Sequence, residues 1–157
     1  MNDENHEGHE DHEEHETTRQ TRSEPFRMRL PSPLPDDAER VMSETIGCAI
    51  AVHRALGPGF LESIYRKAMC IELEARGLVF EAERAVRVSY RGVEITGQRV
   101  DLIIEKQIIV ELKSVVRLDE VHRAQLISYL RTTKLRGGLL INFRVPVLQQ
   151  GLKRIVL

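Results

Sequence analysis

The stretch from Arg99 to Lys113 reads RVDLIIEKQIIVELK and holds the residue types best suited to chemistry. Two apolar runs flank Glu105-Lys106-Gln107, and a three-residue hairpin loop there pairs Ile104 with Ile108. Propagating that register sets Leu102 against Val110 and Val100 against Leu112. The expected apolar face is then Val100, Leu102, Ile104, Ile108, Val110 and Leu112. On the opposite face Asp101 falls across from Glu111, with Lys113 two residues further along the same side. Directly opposed side chains lie about 5 Å apart at Cβ, and like charges in that position destabilise a sheet. Lys113 offsets part of the repulsion. A divalent cation offsets more, and hard carboxylate oxygens suit Mg²⁺ or Mn²⁺ rather than Zn²⁺. The alternative is a plain cross-strand cluster in which Lys113 and Arg99 neutralise both acids, and a one-residue slip in register would separate the groups altogether.

Several elements must position this hairpin. Asp36 or Asp37 can cap a helix whose positions Val41, Met42, Thr45, Ala49, Val52 and Leu56 follow helical spacing and which stops at Gly57. A Gly57-Pro58-Gly59 turn leads into a second helix over about 61–76, ended by Gly77. From Leu78 the texture changes to β-branched residues in alternation. Strands are expected over 86–90, 93–104, 108–115 and 138–143, with a turn at Arg91-Gly92. A helix over 119–132, with Asp119 as its N-cap, separates the last two strands. A short strand or helix is expected within 148–156. The order α-α-β-β-β-α-β predicts an α/β or α+β sheet domain with helices on its faces.

At 157 residues, 41% hydrophobic and 30% charged, the chain has room for one domain with a real core. Its apolar runs fall well short of a bilayer span, and no basic n-region follows Met1, so export and membrane insertion are not expected. Cys48 and Cys70 are the only cysteines and stand at no ligand spacing, which fits a reducing cytoplasm. Residues 1–37 read as an acidic, His-rich tail and Pro-rich linker that does not pack, and 38–157 as the folded domain. Within the tail, His6, His9, His12 and His15 recur every third residue and could hold a transition metal loosely. A solvated tail is the plainer account. The net charge of -1 hides an asymmetry: residues 38–157 hold 19 basic and 13 acidic residues. That excess suits a polyanionic partner without requiring one.

Asp101 followed at nine residues' distance by Glu111-Leu112-Lys113 resembles the D-x(n)-(D/E)-x-K signature of the PD-(D/E)xK nuclease superfamily. Gly59-Phe-Leu-Glu-Ser-Ile-Tyr65 reads as G-x-x-E-x-x-Y and resembles the small bacterial family named after that motif. The stretch from His53 to Glu62, Ala124-Gln-Leu-Ile-Ser-Tyr129 and Leu140-Ile-Asn-Phe143 match that family's pattern as well. The resemblance spans about residues 40–157. Val100 stands where the superfamily's name has Pro.

The resemblance implies a restriction-endonuclease-like core, a mixed four-stranded sheet flanked by helices, with the site at the hairpin. In that picture Asp101, Glu111 and the Leu112 carbonyl hold Mg²⁺ or Mn²⁺, and Glu62 joins them directly or through water. Lys113 orients the attacking water or offsets charge on the phosphate. Gln125 and Tyr129, one turn apart on a helix, match the Q-x-x-x-Y arrangement of RecB-type members and would touch water or phosphate, with His122 extending their stripe. Each has a plainer alternative: a helix-dipole role for Glu62, buried hydrogen bonding for Gln125 and Tyr129, core packing for Tyr65, and a structural place for His53. Tyr65, His122, Arg117, Arg123 and Arg131 are the weaker candidates for nucleic-acid contact, and a solvated face accounts for the arginines equally well.

The expectation is a metal-dependent nuclease acting on nucleic acid, DNA ahead of RNA. A non-catalytic nucleic-acid- or protein-binding module that keeps the fold is the alternative. Substrate strandedness, endo or exo mode, a protein partner and oligomeric state are not written in these residues.

Overall fold

Asp36, Asp37 and Glu39 crowd the first turn of α1 (Asp36–Leu56), where acidic side chains meet the positive end of the helix dipole. The computed structural model describes residues 32–157. The histidine-bearing acidic tail lies outside the described residues. α1 stops at Gly57, whose φ of 69° suits glycine and whose N–H donates to the His53 carbonyl at 2.8 Å. After the glycine-rich turn comes α2 (Glu62–Ala75). The strands follow as β1 (Phe80–Tyr90), β2 (Val93–Ile104) and β3 (Ile108–Lys113), then α3 (Glu120–Thr133) and β4 (Gly137–Asn142). A 3₁₀ turn (Leu148–Gly151) leads into β5 (Leu152–Val156).

The sheet has five strands in the order β1-β2-β3-β4-β5. Only β3 and β4 run parallel, and α3 is the crossover that parallel neighbours require. The helices divide the core in two. On one sheet face α1 and α2 pack Val41, Met42, Val52, Tyr65, Met69 and Leu73 against Leu102, Ile104, Ile108, Val110, Leu112, Leu139 and Ile141. On the other, α3 packs Leu126, Tyr129 and Leu130 against Ile103, Ile109 and Leu140. β3 is thus covered on both faces, which explains its near-continuous apolar run. The turn before β5 needs Gly151, because a Cβ there would sit 2.2 Å from the Asn142 carbonyl oxygen.

The α+β class and the element order agree with the sequence reading, and several details differ. The sheet has a fifth strand: within 148–156, the stretch expected to form a short strand or helix, 152–156 pairs antiparallel with β4. β1 begins at Phe80, six residues before the expected start, and β3 ends at Lys113. The reading of 1–37 as unpacked fails for its last residues: Leu34 is 5% exposed within the core and Asp36 is already helical. Pro35 occupies the N-cap position assigned to an aspartate, so both aspartates lie inside the first turn.

Val100 also departs from expectation. It joins Val86, Ile103 and Ile109 on the α3 side rather than the α1 side. The β1–β2 register runs through Ala82↔Leu102 and Arg84↔Val100 with no pairing between Glu83 and Asp101, and Glu83 takes a left-handed φ of 51°. Simple alternation breaks at that point. Beyond it the outer part of the hairpin, residues 87–99, is exposed.

Candidate active site

The β2–β3 ladder runs Ile104↔Ile108, Ile103↔Ile109 and Leu102↔Val110, as the three-residue loop predicts, and ends one pair short of Asp101 and Glu111. There side chains replace the ladder. The Asp101 N–H donates to Glu111 Oε1 at 3.2 Å, and the Leu112 N–H donates to Asp101 Oδ2 at 2.8 Å. The two acids therefore meet at the end of β3, each bonded to the opposite strand's backbone.

Glu111 is 3% exposed. Burial pushes its carboxyl up to about 7, and the neighbouring Asp101 charge adds to the effect. Lys113, with Nζ 3.6 Å from Glu111 Oε2, pulls the other way without cancelling the rise. The rise therefore comes first from lost solvation and only second from the neighbouring acid. Asp101 has a second partner: Arg66 Nη1 lies 3.0 Å from Oδ1, and the same guanidinium reaches Glu83 at 3.2 Å.

α3 supplies the site's polar wall. Gln125 Nε2 donates to the Tyr129 hydroxyl at 2.9 Å, an i, i+4 contact on one helical face. Burial raises the Tyr129 pKa, as do the charges of Glu111 and, more weakly, Asp101, while the Gln125 hydrogen bond lowers it. The phenol thus senses both carboxylates. Asn142, 1% exposed at the end of β4, fixes the segment that leaves β3. Its Nδ2 donates to Val115 O at 2.9 Å and its Oδ1 accepts from Val115 N at 3.1 Å. Ser114 Oγ donates to Phe60 O at 2.7 Å, joining that segment to the turn before α2.

Asp101, Glu111, Lys113, Gln125 and Tyr129 are therefore brought together, with the Leu112 N–H of β3 bonded to Asp101. Glu62 opens α2, half-buried, and does not complete a set: among the described residues no group of three or more His, Cys, Asp or Glu side chains could hold a metal ion. Tyr65 is not available to nucleic acid. It is fully buried and stacked on Phe143 with centroids 4.2 Å apart and planes 7° off parallel. Its hydroxyl donates to Gly57 O at 2.6 Å and accepts from Phe60 N at 3.2 Å, so the motif's tyrosine closes the glycine turn. His53 is likewise structural, its Nε2 bonding to Val145 O at 2.8 Å.

His122 caps α3, its Nδ1 accepting the Asp119 N–H at 3.0 Å. Arg117 and Arg123 pair loosely with Asp119 and Glu120 at 3.5 and 3.7 Å, and Arg131 is exposed. Arg66 escaped the sequence reading. Its position one turn after Glu62 was the available signal, since i and i+4 share a helical face.

The acid, acid, lysine set on a β-hairpin, backed by a helix carrying Gln and Tyr, agrees with a family match. The profile described as the PD-(D/E)XK nuclease superfamily matches residues 39–155. The chain belongs to the PD-(D/E)XK nuclease superfamily. The fold is accordingly nuclease-like, and nucleases of this superfamily generally use divalent metals such as Mg²⁺. Among solved structures, the protein titled "Crystal structure of SSO0001" matches at 20% identity with a TM-score of 0.46. The match covers 76% of this chain and 62% of that one, so the chain spans about three fifths of that protein's length. A search of curated proteins finds no match. No helix among the described residues is long and apolar enough to cross a membrane.

Proposed function

We propose that this protein is a metal-dependent nuclease of the GxxExxY group that hydrolyses phosphodiester bonds, in DNA ahead of RNA. The observation that carries the reading is the convergence of Asp101, Glu111 and Lys113 at the end of β3, each carboxylate held by an amide of the opposite strand and Lys113 Nζ 3.6 Å from Glu111. Two carboxylates converging at one point are hard-oxygen ligands of the kind that suits Mg²⁺ or Mn²⁺. Asp101, Glu111 and the Leu112 carbonyl would hold the ion, with Glu62 at most a more distant participant. Such an ion supplies Lewis-acid stabilisation of the phosphate's developing charge.

The chain's own groups do the rest. Lys113, 15% exposed at its side chain and beside Glu111, carries an ammonium that would orient the attacking water or offset charge growing on the phosphate in the transition state. Tyr129 and Gln125 form a hydrogen-bonded pair whose remaining donors can hold a phosphate oxygen in line. Asn142 and Ser114 keep the segment after β3 from swinging across the site.

The test is cleavage of labelled single-stranded DNA, duplex DNA and RNA with Mg²⁺, Mn²⁺ or EDTA, comparing wild type with Glu111→Gln from the same purification. Metal-dependent cutting lost in the variant supports the nuclease and ranks its substrates. Equal cutting by both proteins is contamination, and no cutting by either favours a non-catalytic binding module.

A further inference from the structure

One strand away from the carboxylates, a cleft of about 700 Å³ opens between β1, the β2–β3 turn and the end of α3. Its rim carries Arg84, Arg87 and Lys106 against one acid, Glu81, and its floor is apolar, with the buried Val86 and Ile103. We infer that this cleft seats the phosphate backbone of the nucleic-acid strand beside the site of cleavage. The inference rests on the nuclease reading and names a binding surface for it.

The first argument is charge held loosely. Arg84 pairs with Glu81, and Arg87 with Glu94 at 3.6 Å, all four side chains being 38–70% exposed. Exposed pairs of this kind are worth about 0–1 kcal/mol, so both guanidinium groups can exchange a carboxylate for a phosphate at little cost. Lys106 has no ion pair among the described residues. It stands in the turn with a left-handed φ of 55°, a conformation uncommon for a lysine.

The second argument is convergence. Arginines on an edge strand also guard against sheet-to-sheet pairing, which would account for Arg84 and Arg87. It does not account for a lysine arriving from the β2–β3 turn, or for Thr132 at the end of α3, whose hydroxyl has no hydrogen bond among the described residues. Thr133, by contrast, is engaged, donating to Tyr129 O at 2.8 Å. Donors from three separate elements face one apolar floor, which suits a strand of alternating phosphate and sugar.

The third argument is position. Ile103 lies two residues along β2 from Asp101, a rise of about 7 Å. Arg84 is paired in register with Val100, immediately before Asp101. A strand lying in the cleft therefore continues toward the carboxylates on the sheet face that carries Tyr129.

The experiment is fluorescence anisotropy in EDTA with labelled single-stranded and duplex DNA, across NaCl concentrations, alongside steady-state cleavage with Mn²⁺. For Arg84→Ala/Arg87→Ala/Lys106→Ala, affinity should fall about tenfold or more, and the slope of log K against log salt should become shallower by about two to three. KM should rise while kcat holds within about twofold. Arg84→Lys/Arg87→Lys should keep affinity within about threefold. A charge-matched control, Arg54→Ala/Lys67→Ala/Lys153→Ala, should change it less than about twofold. Unchanged affinity and slope in the triple variant, equal losses in the control, or no DNA binding by the wild type each overturn the cleft. Wild-type binding that the triple variant loses, without cutting by either, overturns the nuclease reading and leaves the cleft standing.

Discussion

Glu111 Oε1 accepts the backbone N–H of Asp101 at 3.2 Å, just where the β2–β3 ladder stops. A second bond, from the Leu112 N–H to Asp101 Oδ2 at 2.8 Å, makes the exchange reciprocal. Two like-charged side chains are thus fixed by the amides of the opposite strand. Those bonds orient the carboxylates, while Arg66 stands beside Asp101 and Lys113 beside Glu111.

Asp101→Asn and Glu111→Gln should each lower Mn²⁺ affinity by about tenfold or more, because each removes one hard anionic ligand of two. Both replacements are near in shape, so the folded state should survive. Isothermal titration with Mn²⁺ checks this, and unchanged affinity in both variants refutes the site.

Stability should depend on pH through Glu111. Its carboxyl sits at about 7 in the folded protein against an ordinary 4.5, so the unfolded chain ionises first. Below pH 4.5 the group is neutral in both states and costs nothing. Between 4.5 and 7 stability falls, by about 3 kcal/mol in all, and above 7 the penalty is constant. Glu111→Gln removes the titrating group, so in EDTA it should melt higher than wild type at pH 8 with the difference vanishing near pH 4. Melting curves that keep a constant offset from pH 4 to 8 count against the buried, under-compensated carboxyl.

Arg66→Gln should tighten Mn²⁺ binding several-fold. Its guanidinium, 3.0 Å from Asp101 Oδ1, occupies a ligand oxygen and repels a second cation. Weaker binding would mean that Arg66 mainly orients Asp101. The same titration separates the two outcomes.

Lys113→Met keeps the aliphatic stem and removes the ammonium. Mn²⁺ affinity should change by less than about threefold, whereas cleavage should fall about 100-fold, the scale of losing one charge-stabilising donor. Single-turnover cleavage at saturating Mn²⁺ measures it, and a wild-type rate removes Lys113 from the chemistry.

Tyr65→Phe should cost about 1–2 kcal/mol in urea unfolding, since the hydroxyl satisfies both Gly57 O and Phe60 N. DNA affinity should be unchanged. A large loss of affinity without loss of stability would return Tyr65 to the nucleic-acid surface.

Much of the site was legible in a short segment. The hairpin register of Ile104 with Ile108 follows from loop length and two-residue alternation, and both are local properties of the stretch from Arg99 to Lys113. That register alone brings Asp101, Glu111 and Lys113 together. The pairing of Gln125 with Tyr129 was equally local, being one helical turn. Tyr65 misled because a motif shows spacing and residue type but not which way a helix faces.

What the sequence by itself determined was the set of elements, their order and the acid, acid, lysine constellation, because periodicity, turns and caps act over a few residues. The tertiary structure decided the rest through contacts between residues distant in the chain. α2 delivers Arg66 to Asp101 across 35 positions, and Val100 joins the core on the α3 side of the sheet. The charge state of Glu111 depends most on packing. A carboxyl's pKa reports how much water and countercharge surround it, and α3 packs over β3 on the sheet face that carries Ile109.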